Sequence, residues 1–353
     1  MAGRKPLGDR EAWDVLARAP VVHVAGASGG TPVLRTMHAV VHGGAVWLHG
    51  LASQVLSELE GTRVVASCEE VVARIPSWMR DDRRACPATT YYRSVWVHGV
   101  VERVDDRHAR AAALQRLMEV QQPEGRHVPI TADDPLYANE VARIGMWRIE
   151  PDAVSAVQKL GQDRPAAEIE RVVRALWRRG DPGDFAAIEQ IRRAHPDGPR
   201  FADVPAGLVP RCAPGPADVD AAVALARGRY WNTTFADSEL ADAVRHASAW
   251  VGLERDGELV ASARAIADRG KRSWVYDVVV ADSAQRAGLG TTLMRLLLDH
   301  PMVRRTEVSL ATRDAAGFYT RLGFEVTNVD TRGGYPRTTL VRPRSVTTEG
   351  STG

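Results

Sequence analysis

Directly after the apolar run Val278, Val279 and Val280 the sequence reads ADSAQRAGLGTTLMRLLLDH, and its glycines fall where a helix begins. Glycine lets the backbone approach a ligand closely, while the free N–H groups and positive end of a helix suit a diphosphate. A lone Gly-Xaa-Gly is a weak signal, because two glycines can simply close a strand-to-helix turn. Here Gln285, Gly288 and Gly290 follow a strand-like run and precede a helix-like one, and a second distinctive segment, ATRDAAGFYTRLGFEV, lies downstream.

The elements that must hold these residues can be read from periodicity. From Ala217 the order is helix (to Arg227), helix (Ser238 to His246), and strands AWVGLERDG, ELVASARAIAD and SWVYDVVV. Then come helix (Gly288 to Asp299), strand EVSLATR, helix (Ala315 to Leu322) and strand GFEVTNV. Such alternation predicts an α/β domain with a mixed sheet. The first half differs. After a helix over Asp9 to Arg18, the runs VVHVAGA, PVLRTMHAVV, AVWLHG, RVVASCEEV and YYRSVWVHGVVERV are β-branched and aromatic, with GASGG and HGG as turns. A small, mostly antiparallel barrel is expected, followed by a helix over Asp105 to Val120, a strand pair in GMWRIEPDAVSAVQKL, and helix over Glu168 to Arg193 broken at GDPGD. Residues 194–216, rich in Pro, Gly and Asp, read as a linker, and 345–353 as a disordered tail.

The second half resembles the GCN5-related N-acetyltransferase (GNAT) superfamily over nearly all of residues 216–344. Its pyrophosphate loop carries Arg or Gln, two variable residues, Gly, one variable residue, then Gly or Ala, and Gln285, Gly288 and Gly290 fill the fixed places. The resemblance implies that the loop residues Gln285, Arg286, Ala287, Gly288, Leu289, Gly290 and Thr291 hold acetyl-CoA, that the amides of Val278 and Val280 hold its pantetheine arm, and that Tyr319 protonates the departing thiolate. Asp277, one residue before the apolar run, is the candidate base, with Asp268 or His246 as substitutes. Two residues depart from the family pattern. Arg286 stands where Gly is common and Thr312 where many relatives have Asn. Tyr319 also reads as a packed aromatic, and Asp277 as a structural hydrogen-bonding residue. The acceptor pocket is expected around Tyr230, Trp231, Phe235 and Tyr335, with Asp237 and Glu239 holding a cationic amine, though these residues read equally as core.

The first half, over about residues 9–193, resembles the pyridoxamine 5′-phosphate oxidase-like split barrels that bind FMN, most specifically in TTYYRSVWVHG and KLGQDRP. A flavin needs apolar surface for its ring and donors for its phosphate. The resemblance implies Arg35, Thr36 and His38 from one strand, His49, Gly50, Ser53 and Gln54 from a turn, and Tyr92, Arg93 and Ser94 from another strand. Gln54 stands where many relatives carry Lys or Arg, which removes one charge-assisted phosphate contact. Such barrels also host heme or deazaflavin F420. His38, His49 and His98 read equally as half-buried strand histidines, and Arg93 as an ion-pair residue. A homodimer through this domain is expected, because a half-open barrel edge favours pairing.

At 353 residues two domains are expected: 1–193 a mainly-β split barrel with flanking helices, and 217–344 an α/β GNAT fold with a mixed sheet. Apolar residues make up 44% and charged residues 25%, an ordinary globular composition. The formal charge of +2 supplies no global field for nucleic acid. Cys68, Cys86 and Cys212 are too far apart for a disulfide framework or a metal site. No apolar stretch reaches the roughly 20 residues that span a bilayer, so a cytoplasmic protein is expected. The leading functional expectation is a flavin-binding redox barrel fused to an N-acetyltransferase for a small amine. The alternative is a flavin- or redox-sensing transcriptional regulator, against which no helix-turn-helix pattern stands out.

Overall fold

The computed structural model describes residues 5–51, 56–195, 198–332 and 335–344; the tail assigned from sequence, Ser53 and Gln54 lie outside them. The chain divides into two compact units, Met1–Arg74 with Thr89–Asp163, and Ile75–Ala88 with Arg164–Gly353.

The first unit contains β1 (Lys5–Pro6), α1 (Asp9–Arg18), β2 (Val22–Ser28), β3 (Thr31–Met37), β4 (Ala39–His42), β5 (Ala45–Leu51), β6 (Arg63–Ile75), β7 (Thr89–Arg103), α2 (Arg107–Gln121), α3 (Ala138–Arg143) and β8 (Ile144–Lys159). The sheet runs β3-β2-β6-β7-β8-β5-β4, with β1 on β8. Its end strands β3 and β4 are separated in sequence only by His38. The sheet therefore curls until its ends approach, as a split barrel requires. Strand alternation fills the interior: Val95, Val97 and Val101 of β7 are buried there beside Val24, Leu48, Trp147 and Ile149.

Residues 144–159 form one long strand rather than the pair expected from GMWRIEPDAVSAVQKL. Pro151 interrupts the pattern in sequence, yet it pairs with Gly99 at a register shift in β7. A bulge tolerates a residue without an N–H, and the close approach demands glycine opposite. A Cβ on Gly99 would lie 2.2 Å from the carbonyl oxygen of Glu150.

The second unit contains α4 (Ala166–Arg179), α5 (Asp184–Ala194), β9 (Val209–Arg211), α6 (Pro216–Ala226), α7 (Asp237–Arg245), β10 (Ala249–Arg255), β11 (Glu258–Ala267), β12 (Arg272–Val280), α8 (Leu289–Asp299), β13 (Glu307–Thr312), α9 (Ala316–Thr320), β14 (Glu325–Arg332) and β15 (Tyr335–Arg342). Its sheet runs β14-β15-β13-β12-β11-β10-β9, with β12 and β13 parallel and the other described pairs antiparallel.

Two sequence boundaries move. Helices α4 and α5, assigned from sequence to the barrel, cluster with the second unit. Trp177 of α4 is buried and donates its Nε1–H to Asp299 of α8 at 2.8 Å. Residues 194–216 are not a plain linker. Phe201, Leu208 and Cys212 are buried, β9 joins the sheet edge on β10, and the buried carboxylate of Glu189 accepts from Arg192, Arg211 and the Cys212 N–H at 2.9–3.0 Å. Proline, glycine and charge hid a segment that packs through a few anchors. Strand β15 also went unread, because its polar run PRTT lacks strand alternation.

Among the described residues no helix is long and apolar enough to cross a membrane. Gly99→Ala is expected to destabilise the protein by about 2 kcal/mol or more, because the added methyl meets backbone rather than a movable side chain. Thermal unfolding of the purified variant checks this, and an unchanged Tm would remove the bulge from the account.

Candidate functional site

Strands β12 and β13 pair only over Arg272–Trp274 and Glu307–Ser309. Beyond that both continue but separate, leaving the β13-facing edge of β12 without a strand partner up to Val280. The separation is fixed by a bulge, since Tyr276 pairs with Arg264 and Val279 with Ser262, so Asp277 and Val278 share one place opposite β11. Asp277 sits there at φ +49°, left-handed backbone that Asp tolerates better than most residues.

The Asp277 carboxylate is fully engaged. One oxygen accepts from Trp231 Nε1 at 3.0 Å and Asn232 Nδ2 at 3.2 Å, and the other from Arg264 Nε at 2.6 Å. Its side chain is 13% exposed and that of Arg264 14%. Such a carboxylate is a structural hub rather than an open base. The substitutes fare no better. Asp268 accepts from the N–H groups of Lys271, Arg272 and Gly270, which hold its carboxyl below the usual range. His246 is exposed and bonds the Asp242 carbonyl at 2.9 Å. Neither lines the cavities described below.

Two cavities open along the cleft. The first, about 520 Å³, is walled by Val278–Val280, by Gln285, Arg286 and Gly288–Thr291, and by Phe318 and Arg321. Gly288 caps α8 at φ +77°, and the first turn of that helix leaves its N–H groups without helical acceptors. Gly290 keeps the turn open to Phe318, which a Cβ would meet at 3.4 Å. Arg286 also lies in left-handed backbone, φ +63°. That explains why glycine is common there; the side chain costs about 1 kcal/mol and brings a cation to the loop. Gln285 does not point freely into the cavity, because its Nε2 donates to Asp282 at 2.7 Å. Asp282 also pairs with Arg229 at 3.1 Å, a cavity residue that sequence reading missed.

The second cavity, about 560 Å³, shares Trp231, Val278, Ala315 and Tyr319 with the first. Its walls include Tyr230, Phe235, Trp274 and Tyr276, and its charged groups include Arg313, Asp314 and Arg337. Tyr319 is buried, and burial, helped by Tyr230 and Asp314, pushes its hydroxyl up to about 12. It stays protonated across the physiological range. Thr312 lines this cavity, and its hydroxyl accepts from the Ala315 N–H at 3.2 Å, capping the turn before α9. The acids expected to hold a cationic amine are engaged elsewhere. Asp237 pairs with Arg227, and Glu239 accepts from the Ala236 N–H at 2.8 Å. The side chain of Tyr335 lies outside what the structure describes.

In the first unit two of the expected flavin residues, Tyr92 and His49, lie far apart along one strand. Tyr92 pairs with Lys159 and His49 with Met146, at opposite ends of β8, on the order of 40 Å apart along a straight strand. At one end His38 stacks on His49 at 6.1 Å, whereas Arg35 pairs with Glu58 and Thr36 bonds Nδ1 of His23, whose strand partner Ser67 adjoins the Cys68 carbonyl that Ser94 reaches. Burial, then His38, lowers the His49 pKa, so this ring is neutral near pH 7. Gly50 pairs with Gly145. At the other end, Ser94 is buried and donates to the Cys68 carbonyl at 3.4 Å, and Arg93, with 12% of its side chain exposed, lies 3.9 Å from Glu70. The Arg93 Nε is buried without an acceptor among the described residues, and Lys159 donates to Thr89 Oγ1 at 2.6 Å nearby on the same strand pair.

Asp277→Asn keeps the left-handed backbone but leaves the half-hidden Arg264 guanidinium without its counter-charge. The expected loss is about 3 kcal/mol of stability, read as a lower Tm. A variant as stable as the parent yet inactive in turnover would instead identify Asp277 as the base.

Comparison with known proteins follows the same division. Residues 8–158 match the family model for pyridoxamine 5′-phosphate oxidase, and residues 219–324 that for the acetyltransferase (GNAT) family. No curated protein matches the chain. Among solved structures it is similar to an FAD and heme binding protein from Mycobacterium smegmatis (21% identity, 47% of this chain and 78% of that one, TM-score 0.39). It is similar also to an FAD-binding protein from Mesorhizobium loti (16%, 45% and 99%, 0.30) and to the ribosomal-protein-S18-alanine N-acetyltransferase from Escherichia coli (19%, 40% and 98%, 0.34). The chain thus carries a segment that matches the pyridoxamine 5′-phosphate oxidase model, followed by one that matches the acetyltransferase (GNAT) model.

Proposed function

We propose that the second unit transfers an acyl group, acetyl in the simplest case, from an acyl-CoA to an amine. The observation that carries this reading is the pair of cavities meeting at Tyr319, one ending on the first turn of a helix and the other walled by aromatic rings. The diphosphate of acetyl-CoA binds the N–H groups of Gly288–Thr291, with Arg229, Arg286 and Arg321 supplying positive charge. The pantetheine arm follows the unpaired edge of β12 at Val278 and Val280, which brings the thioester to the junction of the cavities. An uncharged amine enters from the second cavity and attacks the carbonyl carbon. The C–N bond forms and the C–S bond breaks. Tyr319 gives its phenolic proton to the leaving sulfur, and a tyrosine held near pKa 12 remains a donor at neutral pH. Asp314, which has no ion-pair partner among the described residues, takes the proton that the new amide nitrogen sheds.

For the first unit we propose a flavin nucleotide whose phosphate is held by Arg93, supported by the orphaned Arg93 Nε. A flavin supplies hydride or electron transfer when bound. A homodimer would bring the His49 end of one copy toward the Arg93 end of another, which would reconcile the separated residues with a single ligand.

Saturating acetyl-CoA is expected to raise the Tm of the full chain, because a ligand that binds only the folded state stabilises it. Tyr319→Phe is expected to leave that shift in place while lowering kcat about 100-fold, and the wild-type rate should show no descending limb below about pH 10, since Tyr319 loses its proton only near 12. No thermal shift with acetyl-, propionyl- or malonyl-CoA would reject the acyl-transfer reading. Separately, the purified protein is expected to show flavin absorbance after incubation with FMN and desalting, reduced several-fold in Arg93→Ala. A colourless wild-type sample would leave the barrel a structural domain.

A further inference from the structure

The acceptor cavity carries a charge pattern that narrows what the amine must look like, and the inference rests on the acyl-transfer reading above. Of its cations, Arg264 is neutralised by Asp277 at 2.6 Å. Arg313 lies with its guanidinium carbon 5.4 Å from the centroid of the Tyr230 ring and its backbone N–H donating to the Tyr230 hydroxyl at 3.0 Å. Arg337, on β15, is half-buried in the wall and has no carboxylate within ion-pair reach among the described residues. The counter-charge left in the cavity is Asp314, the residue that follows Arg313. Asp237 and Glu239, which would have favoured a simple cation, are engaged outside it.

An unpaired guanidinium in a partly desolvated, ring-walled cavity favours an anionic group in the ligand, and a planar fork favours a carboxylate. The walls supplied by Trp231, Phe235, Trp274 and Tyr276 favour a flat apolar body. The amine itself must reach the junction at Tyr319, beside Asp314. We infer that the acceptor is an amine bearing its own carboxylate on an aromatic or similarly apolar body, that is, an amino acid of the aromatic class, with Arg337 gripping the carboxylate while the nitrogen faces the thioester. Arg337 then sets specificity; it does not take part in the bond changes, which remain C–N formation, C–S cleavage and protonation of the sulfur.

The test uses the full chain and three acceptors with one body: L-phenylalanine, its C-terminal amide, and phenethylamine. CoA release is followed with acetyl-CoA saturating, and rates are referred to the uncharged amine fraction. Phenylalanine is expected to exceed both others in kcat/KM by about tenfold or more, mainly through KM, the scale of one charge-assisted hydrogen-bonded contact. In Arg337→Ala the phenylalanine-to-phenethylamine ratio is expected to fall towards one, and Arg337→Lys to restore part of it, a change in ratio that a general loss of folding would not produce. Equal or better turnover of the amide or of phenethylamine by the wild type overturns the inference and leaves acyl transfer standing. So does an Arg337→Ala variant that slows all three acceptors equally. Turnover of none of them by a chain that acetyl-CoA stabilises overturns the substrate class alone, whereas absence of both the acetyl-CoA shift and any turnover overturns the acyl-transfer reading with it.

Discussion

A buried carboxylate in left-handed backbone sets the geometry of the second unit. Asp277 is bulged out of β12, and the donors that satisfy it come from different parts of the chain: Trp231 and Asn232 from the connection between α6 and α7, and Arg264 from β11. A charge taken out of water is tolerated only when paired and fully hydrogen-bonded, so the four groups constrain one another. The bulge turns the following valines towards the cleft, and the connection bearing Tyr230 and Trp231 is drawn over it. Without that ring of contacts there is no reason for β12 and β13 to part where they do.

The cleft so formed has two ends of different chemistry. At one, backbone N–H groups and arginines gather around the start of α8, an environment for phosphate oxygens. At the other, rings and a small set of charges make a drier space for an organic molecule. Trp231 belongs to both walls and to the Asp277 hub. The barrel has a comparable division in miniature: valines fill its interior, while Arg93 and Glu70 lie where the apolar packing of β6 and β7 ends.

Sequence gave access to whatever is local. The loop from Gln285 to Thr291 was readable because glycine spacing, a preceding apolar strand and a following helix are all contiguous, and α1 was read to the residue. What sequence could not give is register and long-range pairing. Pro151 suggested a break in a strand that in fact continues, since nothing local says that Gly99 waits opposite. Asp237 and Glu239 looked like ligands for an amine because their helix-capping and ion-pair duties depend on neighbours that periodicity does not identify. Arg337 went unread for the complementary reason: it sits on a polar strand whose place in the sheet is set by pairing with β13 and β14. The flavin residues of the first unit were individually sensible, but the separation of Tyr92 from His49 along β8 appears only once pairing is known.

The division of the chain has a consequence for how the protein is made. Residues 75–88, inserted between β6 and β7 of the barrel, belong to the second unit, where Arg80 pairs with Glu168 at 2.5 Å and donates to the Pro87 carbonyl at 2.6 Å. The backbone therefore passes between the units three times, and no single cut separates them. On a ribosome, which releases the chain from its N-terminus, the barrel strands flanking this insert emerge long before α4 does. The insert must wait, tethered between β6 and β7, until residue 168 has been synthesised, and the barrel itself closes only once β8 has followed, a few residues before that.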